Sequence, residues 1–304
     1  MKKHIGISAI ALLLCCALCG GLALPVNADN SAPIAENFEF ETYRGVSFGG
    51  QLEAIDPEGD TLSFEITTQP AKGEIELNDD GSFVYTPADN KRGKDYFGYK
   101  AIDSEGNYSQ EATVIIRLVK CECAISYVDM AGNPSARNAI KLAECGAFVG
   151  KQLGGEYFFE PEHNLTRGEF LSMCLEATGA DLLSGVVSTG FTDDADIPDW
   201  QKSYVSTAVM QGIVKGHLTD EGTCFDADDE ISSAEAMVIL NRALRLSDVS
   251  YLDVGDAVPS WAAQAAANLS ACNVIGHTTA STDALTRAEA ADMLAAAMDL
   301  LESR

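Results

Sequence analysis

Arg167 and Arg287 are the residues best placed to do chemistry in this 304-residue chain. Each is the second residue of a recurring signature: Thr166-Arg167-Gly168-Glu169, Ser232-Ser233-Ala234-Glu235 and Thr286-Arg287-Ala288-Glu289. Thr or Ser followed three residues later by Glu is a capping box, in which the two side chains satisfy amides at a helix start. That accounts for the Thr and the Glu. It does not account for the Arg, because a cation in the first helical turn faces the positive end of the macrodipole. A guanidinium beside unpaired N–H groups at a helix start suits an anion, held bidentately if the anion is a carboxylate. The competing reading is an Arg paired with a neighbouring acid, in a chain with 46 Asp and Glu against 20 Lys and Arg.

The elements that must position these residues repeat with them. An aromatic-x-Asp triplet precedes each signature: Tyr127-Val128-Asp129, Phe191-Thr192-Asp193 and Tyr251-Leu252-Asp253. A glycine near an apolar pair lies between triplet and signature: Gly150, Gly216 and Gly276. Repetition at a near-constant period means one supersecondary unit used three times. Each unit is expected to hold two helices. In the first helix of the second copy, Trp200, Tyr204 and Ala208 recur every fourth residue with Val205 and Val209 beside them. Trp261, Ala265 and Leu269 do so in the third. That spacing predicts an apolar helical face. The second helix starts at the signature and continues with Phe170, Met173, Cys174 and Ala177 at helical spacing.

This order of landmarks resembles the S-layer homology domain, in three tandem copies spanning roughly 124–304. The resemblance implies a mostly α, pseudo-threefold unit that binds secondary cell-wall polysaccharide, often through acidic pyruvylated sugars. It further implies polysaccharide-binding roles for Arg167 and Arg287, supported by Asp129, Asp193, Asp253, Trp200, Trp261, Gly150, Gly216 and Gly276. The copies run over 127–180, 191–246 and 251–304, after a linker at 121–126. Three departures bear on this. Ser233 replaces the Arg in the second copy, and the first copy has Asn133-Pro134-Ser135 where the Trp is expected. The third is shortened between Gly276 and Thr286, where a short strand carrying Phe159 or Phe225 in the other copies is expected to be lost. Trp200 and Trp261 can equally be core anchors.

Residues 32–120 differ in character. Leu62, Phe64 and Ile66 alternate with polar residues, the mark of a half-buried strand. Strands are also expected over 73–77, 82–86, 95–101 and 113–119, with turns at Asp56-Pro57-Glu58-Gly59-Asp60, Asn78-Asp79-Asp80-Gly81 and Asp103-Ser104-Glu105-Gly106. About seven short strands over such a length suggest an immunoglobulin-like sandwich. Ala32-Pro33-Ile34-Ala35-Glu36-Asn37, Gln69-Pro70-Ala71-Lys72-Gly73, Asp80-Gly81-Ser82-Phe83-Val84-Tyr85-Thr86-Pro87 and Asp95-Tyr96-Phe97-Gly98-Tyr99 make the segment similar to bacterial cadherin-like Ig modules. In that family related carboxylates can bind Ca²⁺. Glu36, Asp56, Glu58, Asp60 and Asp103 are the candidate oxygen ligands here, or else ordinary solvated turn residues. The fold class expected is therefore multidomain, an all-β Ig-like/cadherin-like sandwich followed by the mostly α repeat unit.

Residues 1–28 read as a secretory signal peptide: Lys2, Lys3 and His4, an apolar run from Ile5 to Leu24, and Val26-Asn27-Ala28 as the cleavage site. An uncleaved membrane anchor is the alternative; no other segment approaches membrane-spanning length. The formal charge of −26 argues against nucleic acid as a partner, since phosphates need clustered Lys and Arg. Cys121, Cys123, Cys145, Cys174, Cys224 and Cys272 form no recognisable disulfide framework, and Cys121-Glu122-Cys123 lacks the second pair expected of a zinc site. After the signal only His163, His217 and His277 remain, without metal-ligand spacing or a nucleophile motif, so an enzyme is not expected. These features point to a secreted bacterial protein at the cell surface, held on the cell wall or S-layer, with the β module as spacer or display domain. An adhesin acting mainly through a Ca²⁺-dependent β module, with a protein or glycan ligand, is the alternative.

Overall fold

The structure is a computed structural model that describes residues 30–123, 125–250, 258–275 and 282–304. The expected signal peptide, Asp253 and Gly276 lie outside the described residues, as does most of the shortened stretch before Thr286.

The N-terminal module is all β. Strands β2 (Phe38–Tyr43), β9 (Ala112–Val119), β8 (Gly93–Ile102) and β5 (Ser63–Thr68) form one sheet in that order. Strands β3 (Phe48–Gln51), β7 (Ser82–Pro87) and β6 (Gly73–Leu77) form the second, and β1 (Ile34–Ala35) pairs with β4 (Ala54–Ile55) at one end. Strands β2 and β9 run parallel; the other pairs are antiparallel. The alternation read from the sequence is the burial pattern. Phe83 and Tyr85 of β7, Phe97 and Tyr99 of β8, and Val114, Ile116 and Leu118 of β9 fill the space between the sheets. Asp95 is buried among them and fully paired: its carboxylate accepts from the amides of Ala71 (3.0 Å) and Lys72 (2.8 Å) and from the Tyr85 hydroxyl (2.9 Å). A buried carboxylate is tolerable when so satisfied. Burial and Asp95 together push the Tyr85 hydroxyl far above its usual range.

The C-terminal part contains helices α1 (Ala136–Glu144), α2 (Arg167–Ala177), α3 (Asp199–Met210), α4 (Ser233–Leu244), α5 (Ala263–Ala271) and α6 (Arg287–Glu302). It also has two short hairpins, β10 (Lys151–Leu153) with β11 (Glu156–Phe158) and β12 (His217–Thr219) with β13 (Gly222–Cys224). Phe159 and Phe225 are the buried residues directly after β11 and β13 rather than strand residues. Helices α2, α4 and α6 start at the three signatures, and each capping box is formed in both directions. Phe170, Met173, Cys174 and Ala177 of α2 are buried as their spacing predicts.

The three capped helices share a centre. The amide of Leu165 donates to Leu285 (2.9 Å), that of Leu285 to Ile231 (2.8 Å), and that of Ile231 back to Leu165 (3.0 Å). This closed ring sits immediately before the three helix starts, and all three side chains are buried. The fold therefore joins the repeats at the residue preceding each cap.

One packing expectation fails. Trp200 and Val209 lie off the buried face of α3, which consists of Gln201, Val205, Thr207 and Ala208. Trp261 stands ahead of α5 and is also exposed. Neither Trp anchors the core.

The β module touches the first repeat directly. The Gly49 amide donates to the Pro134 carbonyl (3.0 Å), Arg137 Nε donates to the Glu41 carbonyl (2.9 Å), and the Arg137 guanidinium lies 5.9 Å from the centre of the Phe48 ring.

Candidate functional site

Arg167 lies in a groove of about 350 Å³ that draws on all three repeats. Arg167 comes from the start of α2, Lys215 and Gly216 from the turn before β12, Arg242 from α4, and Trp261 from the third repeat. Arg167, Gly216 and Trp261 belong to three separate copies in the sequence, and the fold brings them to one cleft. Trp261 keeps 58% of its surface exposed, which leaves an aromatic face open beside the cations.

The anion site expected at the helix start is altered in one respect. The amides that would face an anion are already used. Arg167 N donates to the Asp229 carbonyl (2.8 Å), Gly168 N to Ala227 (2.9 Å), and Glu169 N to the Thr166 hydroxyl (3.2 Å). Arg287 and Ala288 donate in the same way to His163 and Pro161, and Ser233 to Asp283. The repeats are stitched together through these donors, so any anion in the groove must rely on side chains.

The two signature arginines also differ from one another. Arg167 Nη2 donates to Glu235 Oε1 at 2.6 Å, while its Nε is buried without a partner. Arg287 is 5% exposed. Its Nη1 donates to the Phe159 carbonyl (2.7 Å) and pairs with Glu160 (3.2 Å), and its guanidinium lies 4.7 Å from the centre of the Phe148 ring. Arg287 is therefore part of the framework between third and first repeats. In the second copy Ser233 is buried beside a smaller groove of about 220 Å³, whose described lining includes Met237, Val274, Ile275, Glu289 and Asp292 and no Lys or Arg.

The aromatic-x-Asp residues have a local task. Asp129 accepts from the amides of Phe159 (2.9 Å) and Glu160 (2.7 Å); Asp193 accepts from those of Phe225 (3.0 Å) and Asp226 (2.8 Å). Each clasps the chain as it leaves a hairpin. Gly150 and Gly216 have φ of +79° and +70°, and a Cβ there would meet the carbonyl oxygens of Phe158 and Cys224 at 2.5 Å. Only glycine fits both the left-handed backbone and that approach. Trp200 faces solvent with its ring 6.2 Å from that of Tyr204.

The sequence assigns no groove role to Lys215 or Arg242, and it marks Glu235 only as a capping residue. A signal for Lys215 existed: it interrupts the second copy between Ile213-Val214 and Gly216, where the other copies pass directly from the apolar pair to the glycine.

Of the turn carboxylates, Asp56, Asp60 and Asp103 are buried or partly buried, and they do not form a group of three donor atoms within 4.8 Å of one another. Asp56 Oδ1 accepts from the amides of Glu58 and Asp60, and its Oδ2 is buried with no partner. Asp60 and Asp103 both accept from Asn30 Nδ2, at 3.4 and 2.9 Å. Glu58 is exposed and accepts from Ser31, and Glu36 is exposed; the set fits a hard cation only in part. Among the described residues, the groups of three His, Cys, Asp or Glu donor atoms lying within 4.8 Å of one another are Cys121–Cys123–Glu144 and Asp193–Cys224–Asp226.

Residues 30–120 match the family profile described as the bacterial cadherin-like domain. That segment is a bacterial cadherin-like module. No curated protein sequence matches the chain. Among solved structures, a variant of the SrpA adhesin from Streptococcus sanguinis is similar at 19% identity over 33% of this chain and 66% of that one, with a TM-score of 0.25. A SusE-like surface-located polysaccharide-binding protein from Bacteroides thetaiotaomicron is similar at 16% identity over 30% of this chain and 15% of that one, TM-score 0.23. An endo-fucoidan hydrolase of glycoside hydrolase family 107 is similar at 21% identity over 31% of this chain and 14% of that one, TM-score 0.23. The chain thus spans between 14% and 66% of these relatives, and none of their activities passes to it. No described helix is long and apolar enough to cross a membrane.

Proposed function

We propose that this is a non-enzymatic bacterial surface protein, exported and held on the cell wall by its C-terminal repeats, with the cadherin-like module as spacer or display domain. One observation carries the reading. In a chain of formal charge −26, the groove at Arg167 gathers Arg167, Lys215 and Arg242 around one acid, Glu235, that Arg167 already neutralises in part. Trp261 stands at its edge with an open face. Cations beside an exposed aromatic ring suit an acidic carbohydrate: the cations take its carboxylate, and the ring packs against the apolar face of a sugar. The resemblance of the repeats to S-layer homology domains supports secondary cell-wall polysaccharide as that ligand, and the bacterial cadherin-like module supports a surface location.

Among the described residues no Lys or Arg lines the groove at Ser233, which carries Glu289 and Asp292, so it takes no anionic sugar in this reading. Ca²⁺ in the β module belongs to the proposal as well, and rests on the unpartnered Asp56 oxygen.

The test is co-sedimentation of the full chain with purified cell walls, before and after chemical removal of their secondary polysaccharide. Binding to intact walls that is lost on stripped walls is the expected result. Equal binding to both defeats the reading. Trp261→Ala and Lys215→Glu, both at exposed or groove-edge positions, are expected to weaken sedimentation while leaving circular dichroism unchanged.

A further inference from the structure

We propose that Cys121, Cys123 and Glu144 form a site for a thiophilic cation of the Zn²⁺ class, at the junction between the β module and the first helical repeat. The two Sγ atoms and a Glu144 carboxylate oxygen lie within 4.8 Å of one another. Chain spacing hid the set, because its third donor comes from the last residue of α1 and not from a second cysteine pair.

Three segments converge there. Cys121 and Cys123 follow β9, Glu144 ends α1, and Tyr43 ends β2. The Glu144 carboxylate is oriented from both sides: the Glu122 amide donates to Oε1 (2.8 Å) and the Tyr43 hydroxyl donates to Oε2. A ligand carboxylate fixed by such outer partners is what a metal site needs. The Cys121 thiol donates to the Cys123 carbonyl (3.1 Å). Both cysteines are half-buried and neither is in a disulfide.

Donor chemistry selects the ion. Two thiolates and one carboxylate suit Zn²⁺ with a fourth position open to water, and thiolates disfavour Ca²⁺ and Mg²⁺. Tetrahedral Zn²⁺, at about 2.3 Å from sulfur and about 2.0–2.2 Å from oxygen, sets ligand atoms about 3.5–4 Å apart. From separations of at most 4.8 Å, closing on an ion asks for side-chain shifts of about 1 Å. Binding displaces the two thiol protons to solvent and needs no oxidant. The other cluster is less apt: it has one thiol, Asp193 already serves two backbone amides, and Asp226 is paired with His217 at 2.6 Å. A bound ion would tie the linker to α1 and stiffen the joint between the modules. The proposal is independent of polysaccharide binding.

The test uses the full chain, reduced and stripped with chelator, and titrated with Co²⁺ as a spectroscopic probe. The expected result is one equivalent taken up with a thiolate-to-cobalt charge-transfer band, displaced by Zn²⁺. Cys121→Ser and Cys123→Ser abolish the band, Glu144→Gln weakens Zn²⁺ binding at least about tenfold, and Cys224→Ser leaves it intact. Should the serine variants misfold, alkylation of the wild-type chain decides: Zn²⁺ should protect Cys121 and Cys123, and leave the exposed Cys145 reactive. The proposal is overturned if reduced protein takes up no cobalt, if the band survives in Cys123→Ser, if Glu144→Gln binds Zn²⁺ as tightly as wild type, or if Zn²⁺ protects neither thiol.

Discussion

Glu235 serves two repeats at once. One carboxylate oxygen accepts from the amide and hydroxyl of its own N-cap, Ser232, while the other takes Arg167 from the preceding repeat at 2.6 Å. The capping box of one helix thereby supplies the counter-ion for the preceding signature's arginine. This explains how a cation is tolerated in the first turn of α2, where the macrodipole opposes it.

The shared carboxylate sets a pH dependence. Burial by itself would raise the Glu235 carboxyl, but the Ser232 amide, the Arg167 hydrogen bond and the Ser232 hydroxyl outweigh it and hold the group below the usual range. With the folded value below the unfolded one, its contribution to stability is complete at neutral pH and is lost as the pH falls through the folded value. Arg167→Ala should cost about 1–2 kcal/mol at pH 7. Urea unfolding across pH should show that deficit shrinking as Glu235 protonates. A deficit that stays constant to pH 3 would mean that Arg167 stabilises by packing alone.

Arg287→Ala should cost more, about 2–3 kcal/mol, because it strips the partner from the buried Phe159 carbonyl and removes a cation stacked on Phe148. Glu160 should respond in step. Its hydrogen bond from Arg287 is the main cause of its depressed pKa, so the variant should return it toward the normal range. Arg287→Lys should recover only part of the loss, since an ammonium cannot reproduce the planar stack. Thermal melts of the three proteins rank these effects, and wild-type stability in Arg287→Ala would remove this residue from the framework.

Gly49 reports on the joint between the modules. A Cβ there would meet Pro134 Cβ at 2.5 Å and its backbone at 3.1 Å, so Gly49→Ala must push β3 and the segment before α1 apart. A cost of about 1–3 kcal/mol is expected from overpacking. It should fall on the coupling of the modules and not on either core, since the core side chains of the β module and of the helical repeats form two separate clusters. Calorimetry should show a single transition in the wild type separating into two in the variant. A uniform fall in one transition would place the damage inside the sandwich instead.

What was legible from sequence was local. Capping boxes follow from four-residue spacing and formed at all three sites; strands β5 to β9 follow from alternation and end within one or two residues of their expected limits. What was not legible depends on contacts between repeats. The ring of Leu165, Ile231 and Leu285 is made of backbone bonds, which leave no side-chain pattern beyond an apolar residue before each cap. The same ring brings neighbouring carbonyls onto the helix-start amides, so donors that look unpaired along one chain segment are occupied in the fold. Trp200 fitted an apolar period yet faces water, because periodicity gives a residue's angle around the helix and not the extent of the neighbour that covers it. The Cys121–Cys123–Glu144 cluster joins residues that only the docking of α1 against the linker brings together.

The turn carboxylates of the β module provide a last test. Asp56 Oδ1 is committed to the amides of Glu58 and Asp60, which fix the turn, and Oδ2 is left buried without a donor. A buried oxygen without a donor is costly unless a cation or a water meets it. Asp60 and Asp103 share the donor Asn30, which sets their two charges close to each other in the same region of turns. Millimolar Ca²⁺ should therefore raise the melting temperature of the full chain by mass action, since the ion binds only the folded turn. Asp103→Asn should abolish most of that shift and also lower the metal-free melting temperature, so the Ca²⁺-induced shift is read against the variant's own metal-free melt. Its Oδ1 bonds to the Glu105 and Asn107 backbone amides can be kept by the amide oxygen, while at Oδ2 the bonds accepted from the Asn30 and Asn107 side chains are lost along with the charge. Mg²⁺ at the same concentration should do less, because it sheds its waters reluctantly and demands a tighter octahedron. If Ca²⁺ leaves the wild-type melt unmoved, or shifts Asp103→Asn equally, these residues are turn-formers and the buried Asp56 oxygen is met by water.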